Sequence, residues 1–265
     1  MIIDFHTHAF PDKLARRAVD SLKVHIDREP LTDGSLGDLT KKMKSWGIDI
    51  SVVCNIATNV KQTDNVNSFA VESAEKYPEI VPLGSVHPMC EDVEFQLSRI
   101  TGANLPGIKL HPDYMGFDLD DPIYDTIFEL CSSLGLFVII HAGLDVCSPE
   151  HIHATPDMIL RVTERHPSLK LVCAHFGANC MWDEVLEKLC GRPLWIDTSL
   201  AYVEAHDHDT LKHILTSHDP DRILFASDCP WCPPDENVRF VESFGLSSEL
   251  CDKIFEKNAK YLLHL

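Results

Sequence analysis

Two histidines stand one residue apart near the start of the chain, His6 and His8 in Ile2-Ile3-Asp4-Phe5-His6-Thr7-His8. The run reads as a buried β-strand, and alternate residues of a strand share a face. Both imidazoles then address one point, while Ile3, Phe5 and Thr7 address the other side and Asp4 lies one layer deeper on the imidazole side. Two neutral imidazoles aimed together can share a cation. Polar, metal-competent groups recur where later apolar runs end: Lys109 and His111 in Gly107-Ile108-Lys109-Leu110-His111, then His141, His175 and Asp228. A single strand histidine is ordinarily a hydrogen-bonded rim or core residue. So many such groups buried without a cation would leave unpaired atoms at ~1–3 kcal/mol each. The pattern points to a metal site.

The elements that must position these groups follow from the same spacing. Short β-branched runs begin near Ile2, Ile50, Ile80, Gly107, Phe137, Lys170, Leu194 and Arg222, at intervals of 24 to 48 residues. Most are apolar on both faces, as parallel strands covered by helices are. Amphipathic helices are predicted over 12–25, 39–46, 66–76, 92–100, 122–134, 155–165, 182–189 and 207–216, with a closing pair at 234–244 and 247–261. Thr155-Pro156-Asp157 carries the cap, proline and acid of a helix start, and Gly47 and Gly135 sit where helices stop. A strand-plus-helix unit repeated eight times is an α/β chain of the (β/α)8 TIM-barrel class, here one domain over 1–265. Barrel enzymes keep their chemistry at the strands' C-terminal face, and the connections 27–38, 112–121 and 142–154 are long enough to roof it.

Bulk properties narrow the partners. With 23 Lys+Arg against 41 Asp+Glu the formal charge is −18, and no basic cluster interrupts it, which argues against nucleic acid. No stretch approaches the ~20 apolar residues of a membrane span, and the N-terminus lacks a signal-peptide plan. Ten cysteines without a secretory signal read as reduced thiols, several of them buried, such as Cys54 and Cys173. The expectation is a cytoplasmic enzyme with a small-molecule substrate, and a homo-oligomer is compatible with the sequence.

In its ordered motifs the chain resembles the amidohydrolase superfamily, most closely the amidohydrolase 2 branch with its aminocarboxymuconate-semialdehyde decarboxylase relatives. The resemblance runs from Ile2 to about Trp231. Its carriers are Asp4-Phe5-His6-Thr7-His8, Gly107-Ile108-Lys109-Leu110-His111-Pro112, Ile140-His141-Ala142-Gly143, Ala174-His175-Phe176-Gly177 and Ala226-Ser227-Asp228-Cys229-Pro230-Trp231. It implies that His6, His8, His141 and Asp228 hold one divalent metal, zinc by donor class, with His175 acting beside it. Metal-bound water is acidified toward pKa ~7, Asp228 could take its proton, and His175 could stabilise or protonate the reacting atom.

Lys109 has two readings. In binuclear relatives a strand-4 lysine is carbamylated and bridges two metals, with His175 on the second, and Lys-Leu-His-Pro looks similar to that motif in dihydroorotases. The alternative is a plain ammonium pairing with a substrate carboxylate or a neighbouring acid, which suits the mononuclear branch that the rest of the chain sits nearer. His111, closer to the rim, is expected to contact substrate, and Arg28 could recognise a carboxylate. The leading expectation is a metal-dependent hydrolase whose bound hydroxide attacks an ester, lactone or amide carbonyl. The alternative is non-oxidative decarboxylation of an unsaturated or aromatic acid.

Other residues carry less. Cys229-Pro230-Trp231-Cys232 has redox-motif spacing but reads as a turn at the pocket rim. His151-Ile152-His153 belongs to the loop after the fifth strand, either lining the mouth or solvated. His206-Asp207-His208-Asp209 reads as an exposed helix start. His87 is expected to end the third strand. Thr198 and Ser199 end the seventh and could donate hydrogen bonds to a ligand.

Overall fold

The structure, a computed structural model, describes residues 1–26, 28–201 and 208–265. Asp27, at the head of the first long connection, and His206-Asp207, with the start of the helix expected from 207, lie outside the described residues.

Eight strands alternate with helices in chain order: β1 Ile3–Thr7, α1 Asp12–Ile26, α2 Leu36–Trp46, β2 Ile50–Val53, α3 Thr63–Lys76, β3 Ile80–Pro82, α4 Val93–Gly102 and β4 Gly107–Leu110. The second half runs α5 Pro112–Met115, α6 Asp125–Leu134, β5 Phe137–Ile140, α7 Pro156–Arg165, β6 Lys170–Cys173, α8 Trp182–Lys188, β7 Trp195–Asp197, α9 His208–Ser217 and β8 Ile223–Leu224. Helices α10 Pro234–Ser243, α11 Ser248–Asp252 and α12 Asn258–Leu263 close the chain. The strands pair in parallel in sequential order, β1 to β3 and β4 to β8. Two bridges join these arcs into a ring: Gly84 pairs with Ile108, and Thr7 with Cys229. This is the expected TIM barrel.

Short strands with both faces apolar build two cores. Ile3, Phe5, Val52, Leu83, Phe137, Ile139, Val172 and Leu224 form one, inside the barrel, where the Phe5 and Phe137 rings meet at 5.4 Å. Their neighbours Val53, Ile108, Leu110, Val138 and Ile140 face outward and pack with Leu39, Met43, Phe128 and Ile159 of the helices. Fully burying one such side chain stabilises the fold by ~1.5–3 kcal/mol. Helix ends follow the expected chemistry: Thr155 accepts from Met158 N–H, and Gly47 and Gly135 adopt left-handed caps at φ 73° and 74°.

Three elements differ from expectation. The third strand stops at Pro82, so His87 lies beyond it. The connection 112–121 contains the turn α5, started by Pro112 at its first position. The last segment is not one helix: a π-helical turn, Lys253–Lys257, separates α11 from α12. The wider turn lets Ile254 O accept from Phe225 N–H at 2.9 Å, while Asn258 Nδ2 donates to Ile223 O at 2.8 Å. These bonds dock the C-terminal helices on the last strand.

Candidate active site

Strand alternation is broken in β1, and this decides what the strand presents. The pairing of β1 with β2 slips between Asp4 and Thr7, so two residues of β1 oppose one of β2. Such a bulge turns neighbouring side chains to the same side. Phe5 shares the barrel interior with Ile3 by ordinary alternation, and the bulge turns His6 inward beside it instead of to the side of Asp4. The expectation that Ile3 and Phe5 face away from the imidazoles is corrected. Asp4 is corrected with them: its carboxylate accepts from Ser227 Oγ at 2.6 Å and Ser227 N–H at 2.9 Å, away from the imidazoles.

Above the interior core, a cavity of about 450 Å³ is lined by His6, His8, Lys109, His111, His141, His175 and Asp228. Its outer wall is largely apolar, built from Leu14, Leu22 and Ile26 of α1, Val66 and Phe69 of α3, and Trp231, with Thr58, Gln62 and Asn65 as its polar members. The strand ends thus deliver their polar groups to one floor.

Hydrogen bonds fix which nitrogens carry protons. His8 Nδ1 lies 3.2 Å from the Cys54 carbonyl, which only accepts, so the proton sits on Nδ1. His8 Nε2 then presents a lone pair to Asp228 Oδ1 at 3.1 Å. His6 Nδ1 donates to Asp197 Oδ2 at 3.0 Å, which leaves His6 Nε2 as a lone pair 3.5 Å from the same Asp228 oxygen. Burial, reinforced by the Lys109 charge, holds the His6 pKa well below its ordinary value and keeps the ring neutral. Two imidazole lone pairs and a carboxylate oxygen meeting at one point call for positive charge among them, which Lys109 Nζ, 3.1 Å from His6 Nε2, meets on one side only. The donor set fits a divalent ion.

A second chain of bonds runs through the floor. Ser199 Oγ donates to Asp197 Oδ1 at 2.5 Å and accepts from His175 Nδ1 at 2.8 Å. His175 Nε2 then accepts from His141 Nδ1 at 3.0 Å. This leaves His141 Nε2 with a lone pair that is buried and has no hydrogen-bond partner among the described residues, the Asp145 carboxylate standing 3.8 Å away. Burial keeps both rings neutral, well below the ordinary histidine pKa. His6, His8 and Asp228 converge directly, whereas His141 groups with His111 and Asp145, and His175 with His6 and Asp197.

Lys109 is fully buried, with Nζ 3.1 Å from His6 Nε2. Burial lowers its pKa, opposed by nearby Cys54, Asp197 and Asp228. His111 lies between Tyr114 and His141, with ring centroids at 3.7 and 4.3 Å, and its Nε2 is 3.2 Å from Asp145 Oδ2. For Asp145 burial raises the pKa, but its bonds with His111 and with Cys147 N–H outweigh it, and the carboxyl titrates below its usual range. His175 and Asp228 hold left-handed backbone at φ 62° and 74°. Such strain costs about 1–3 kcal/mol per residue and persists where neighbours enforce it. Here His175 N–H donates to Asp197 Oδ1 at 3.0 Å and Asp228 N–H to His6 O at 2.9 Å.

Two carboxylates of this floor escape sequence reading. Asp197 ends the seventh apolar run much as Asp228 follows the eighth, so a signal was there. Asp145 lies in a loop with no periodicity to mark it. Arg28 is half-buried beyond α1 and is not among the lining residues, which leaves Lys109 as the one lysine or arginine there among the described residues. His87 lies outside the lining too, accepting from Met89 N–H at 3.3 Å. Trp231 of the Cys229-Pro230-Trp231-Cys232 run lines the cavity, as a rim turn would, while His151 and His153 do not. Ser199 meets His175, and Thr198 Oγ1 donates to Ala226 O at 3.2 Å.

Comparison with known proteins adds the following. A sequence profile of the family described as Amidohydrolase matches residues 3–265. A 2-amino-3-carboxymuconate-6-semialdehyde decarboxylase from Dictyostelium discoideum is 27% identical over 225 residues. That match takes in 70% of this chain but spans only 60% of the relative's length. An uncharacterized TIM-barrel protein from Bordetella bronchiseptica superposes with a TM-score of 0.80 at 21% identity, covering 99% of this chain and 98% of the other. A 5-carboxyvanillate decarboxylase from Novosphingobium aromaticivorans superposes at TM-score 0.73 and 16% identity over 100% of this chain and 97% of its own. That structure was solved with bound manganese and 3-methoxy-4-hydroxy-5-nitrobenzoic acid. Among the described residues no helix is long and apolar enough to cross a membrane.

Proposed function

The chain belongs to the amidohydrolase family, and from that premise we propose that it is a metal-dependent carboxy-lyase removing CO2 from a small unsaturated or aromatic acid. The observation that carries this reading is the two-part cavity: an apolar wall from α1, α3 and Trp231 over a floor of imidazoles, carboxylates and one ammonium. A planar conjugated body fits the wall, and its charged end reaches the floor. Sequence motifs alone favour hydrolysis of an ester, lactone or amide. Support for decarboxylation comes from the named relatives, two of which are decarboxylases of conjugated acids.

His6, His8 and Asp228 would hold the divalent ion, zinc by donor class, with the open lone pair of His141 on the same floor. Bound there, the ion supplies positive charge that orients and polarises the acid's oxygens. Lys109 pairs with the carboxylate. Apolar side chains around Lys109 lower the local polarity, which strengthens that pairing. When the carbon–carboxylate bond breaks, its electron pair stays on carbon, CO2 departs, and that carbon takes one proton. This proton comes from solvent water and is relayed by Asp228 and His175, which line the cavity, with Ser199 and Asp197 holding His175 in place.

The test is a panel of aromatic and dienoic acids, with lactones and anilides beside them, offered to metal-loaded protein. The reading expects one CO2 released per acid consumed. Turnover of a lactone or anilide with no CO2 from any acid contradicts it.

A further inference from the structure

Outside the cavity, the loops that follow β4 and β5 meet. Leu119 N–H donates to His153 O at 2.7 Å, Gly143 N–H donates to Ala154 O at 2.9 Å, and Thr155 caps α7 just beyond. The segment bearing His151 and His153 is thus pinned at several points. On it, His151 Nε2 lies 2.6 Å from Asp118 Oδ1, and the two imidazole rings stand edge to face at 4.4 Å. One ligand atom from each of Asp118, His151 and His153 lies within 4.8 Å of the others. None of the three lines the cavity.

His153 is oriented from behind. Its Nδ1 lies 3.1 Å from Asp113 Oδ1, a carboxylate whose side chain is fully buried. A carboxylate accepts, so the proton sits on Nδ1 and His153 Nε2 keeps its lone pair. A carboxylate that fixes a histidine's tautomer and turns its other nitrogen outward is the usual support of a metal-binding imidazole. A simple surface ion pair between His151 and Asp118 needs no such support.

We propose that Asp118, His151 and His153 bind a divalent transition-metal ion at the barrel rim, Zn²⁺ by donor class, with Asp113 positioning His153. Ligands ~2.0–2.1 Å from zinc stand roughly 3–3.5 Å apart. The trio reaches that spacing by small movements, chiefly of His151, whose side chain is 58% exposed. Water fills the remaining position. The other oxygen of Asp113 lies 3.7 Å from His111 Nδ1, so this carboxylate stands between the rim site and the cavity floor.

Calorimetric titration of Zn²⁺ into the 265-residue chain, wild type beside His151→Gln/His153→Gln, tests the assignment. Wild type is expected to take up one equivalent that the double variant loses or binds at least 10-fold more weakly. The exposed single variant His151→Gln is expected to weaken the same equivalent while keeping the wild-type circular dichroism. The readout is the increment that these substitutions remove, so it stands whether or not the central site holds its ion. Equal uptake by wild type and both variants overturns the proposal. So does anomalous density in zinc-soaked crystals at Cys180 or elsewhere, with none among Asp118, His151 and His153.

Discussion

Lys109 Nζ stands 3.1 Å from His6 Nε2, so an ammonium from the fourth strand and an imidazole from the first share one lone pair. That lone pair serves one partner at a time. A divalent ion taking it leaves Lys109 to the substrate, which is why the amine is assigned to the carboxylate.

Replacing Lys109 by methionine removes that charge without emptying the volume. The expected result is a loss of about 10- to 100-fold in kcat/KM, the size of a charge-assisted hydrogen bond, carried mainly by KM. Metal analysis of the same variant should show the central ion retained. Its loss would favour the carbamate bridge over the ammonium.

Ser199 touches Asp197 and His175, and it fixes the tautomer of the latter. Ser199→Ala should lower kcat about 10- to 100-fold, as losses of orienting partners do, with KM nearly unchanged and the pH–rate profile displaced. An unchanged profile alongside reduced kcat would mean that Ser199 contributes packing alone. Asp228→Asn should cost more, about 10²–10⁴-fold, if it carries the proton.

Acid sensitivity should trace in part to His218, far from the cavity. Its Nε2 lies 3.0 Å from Leu194 O, its Nδ1 accepts from Gly191 N–H at 3.3 Å, and burial lowers its pKa below 6.5. Both bonds use the neutral ring. Below pH 6.5 the unfolded chain gains a proton that the folded chain refuses, so this stabilisation is complete above 6.5 and declines as pH falls. His218→Gln is expected to start with a lower Tm at pH 8 and to lose less on going to pH 5.5 than wild type does. Parallel Tm–pH curves would contradict the assignment.

How far the site is legible in sequence depends on what places each residue. Histidines and acids ending apolar runs are visible one strand at a time, because eight parallel strands leave the barrel on the same face. His6, Lys109, His141, His175 and Asp228 reach one floor for that reason. The bulge in β1 is invisible, because it belongs to the pairing of two strands and not to either one. That is why His6 parts from Asp4 and turns inward beside Phe5, which alternation alone does not foresee. Asp145 enters the floor from a loop, and the apolar wall comes from α1 and α3, whose exposed-looking residues such as Leu14 acquire a role only once the barrel closes. The split of the last helix likewise depends on bonds to β8 that no local pattern encodes.

The central claim is that His6, His8 and Asp228 surround a divalent ion. Elemental analysis of purified protein, after dialysis that strips weakly held ions, tests it most directly in wild type and His6→Ala/His8→Ala. The account predicts close to one more zinc equivalent per chain in wild type than in the folded double variant. Equal metal in both would contradict it.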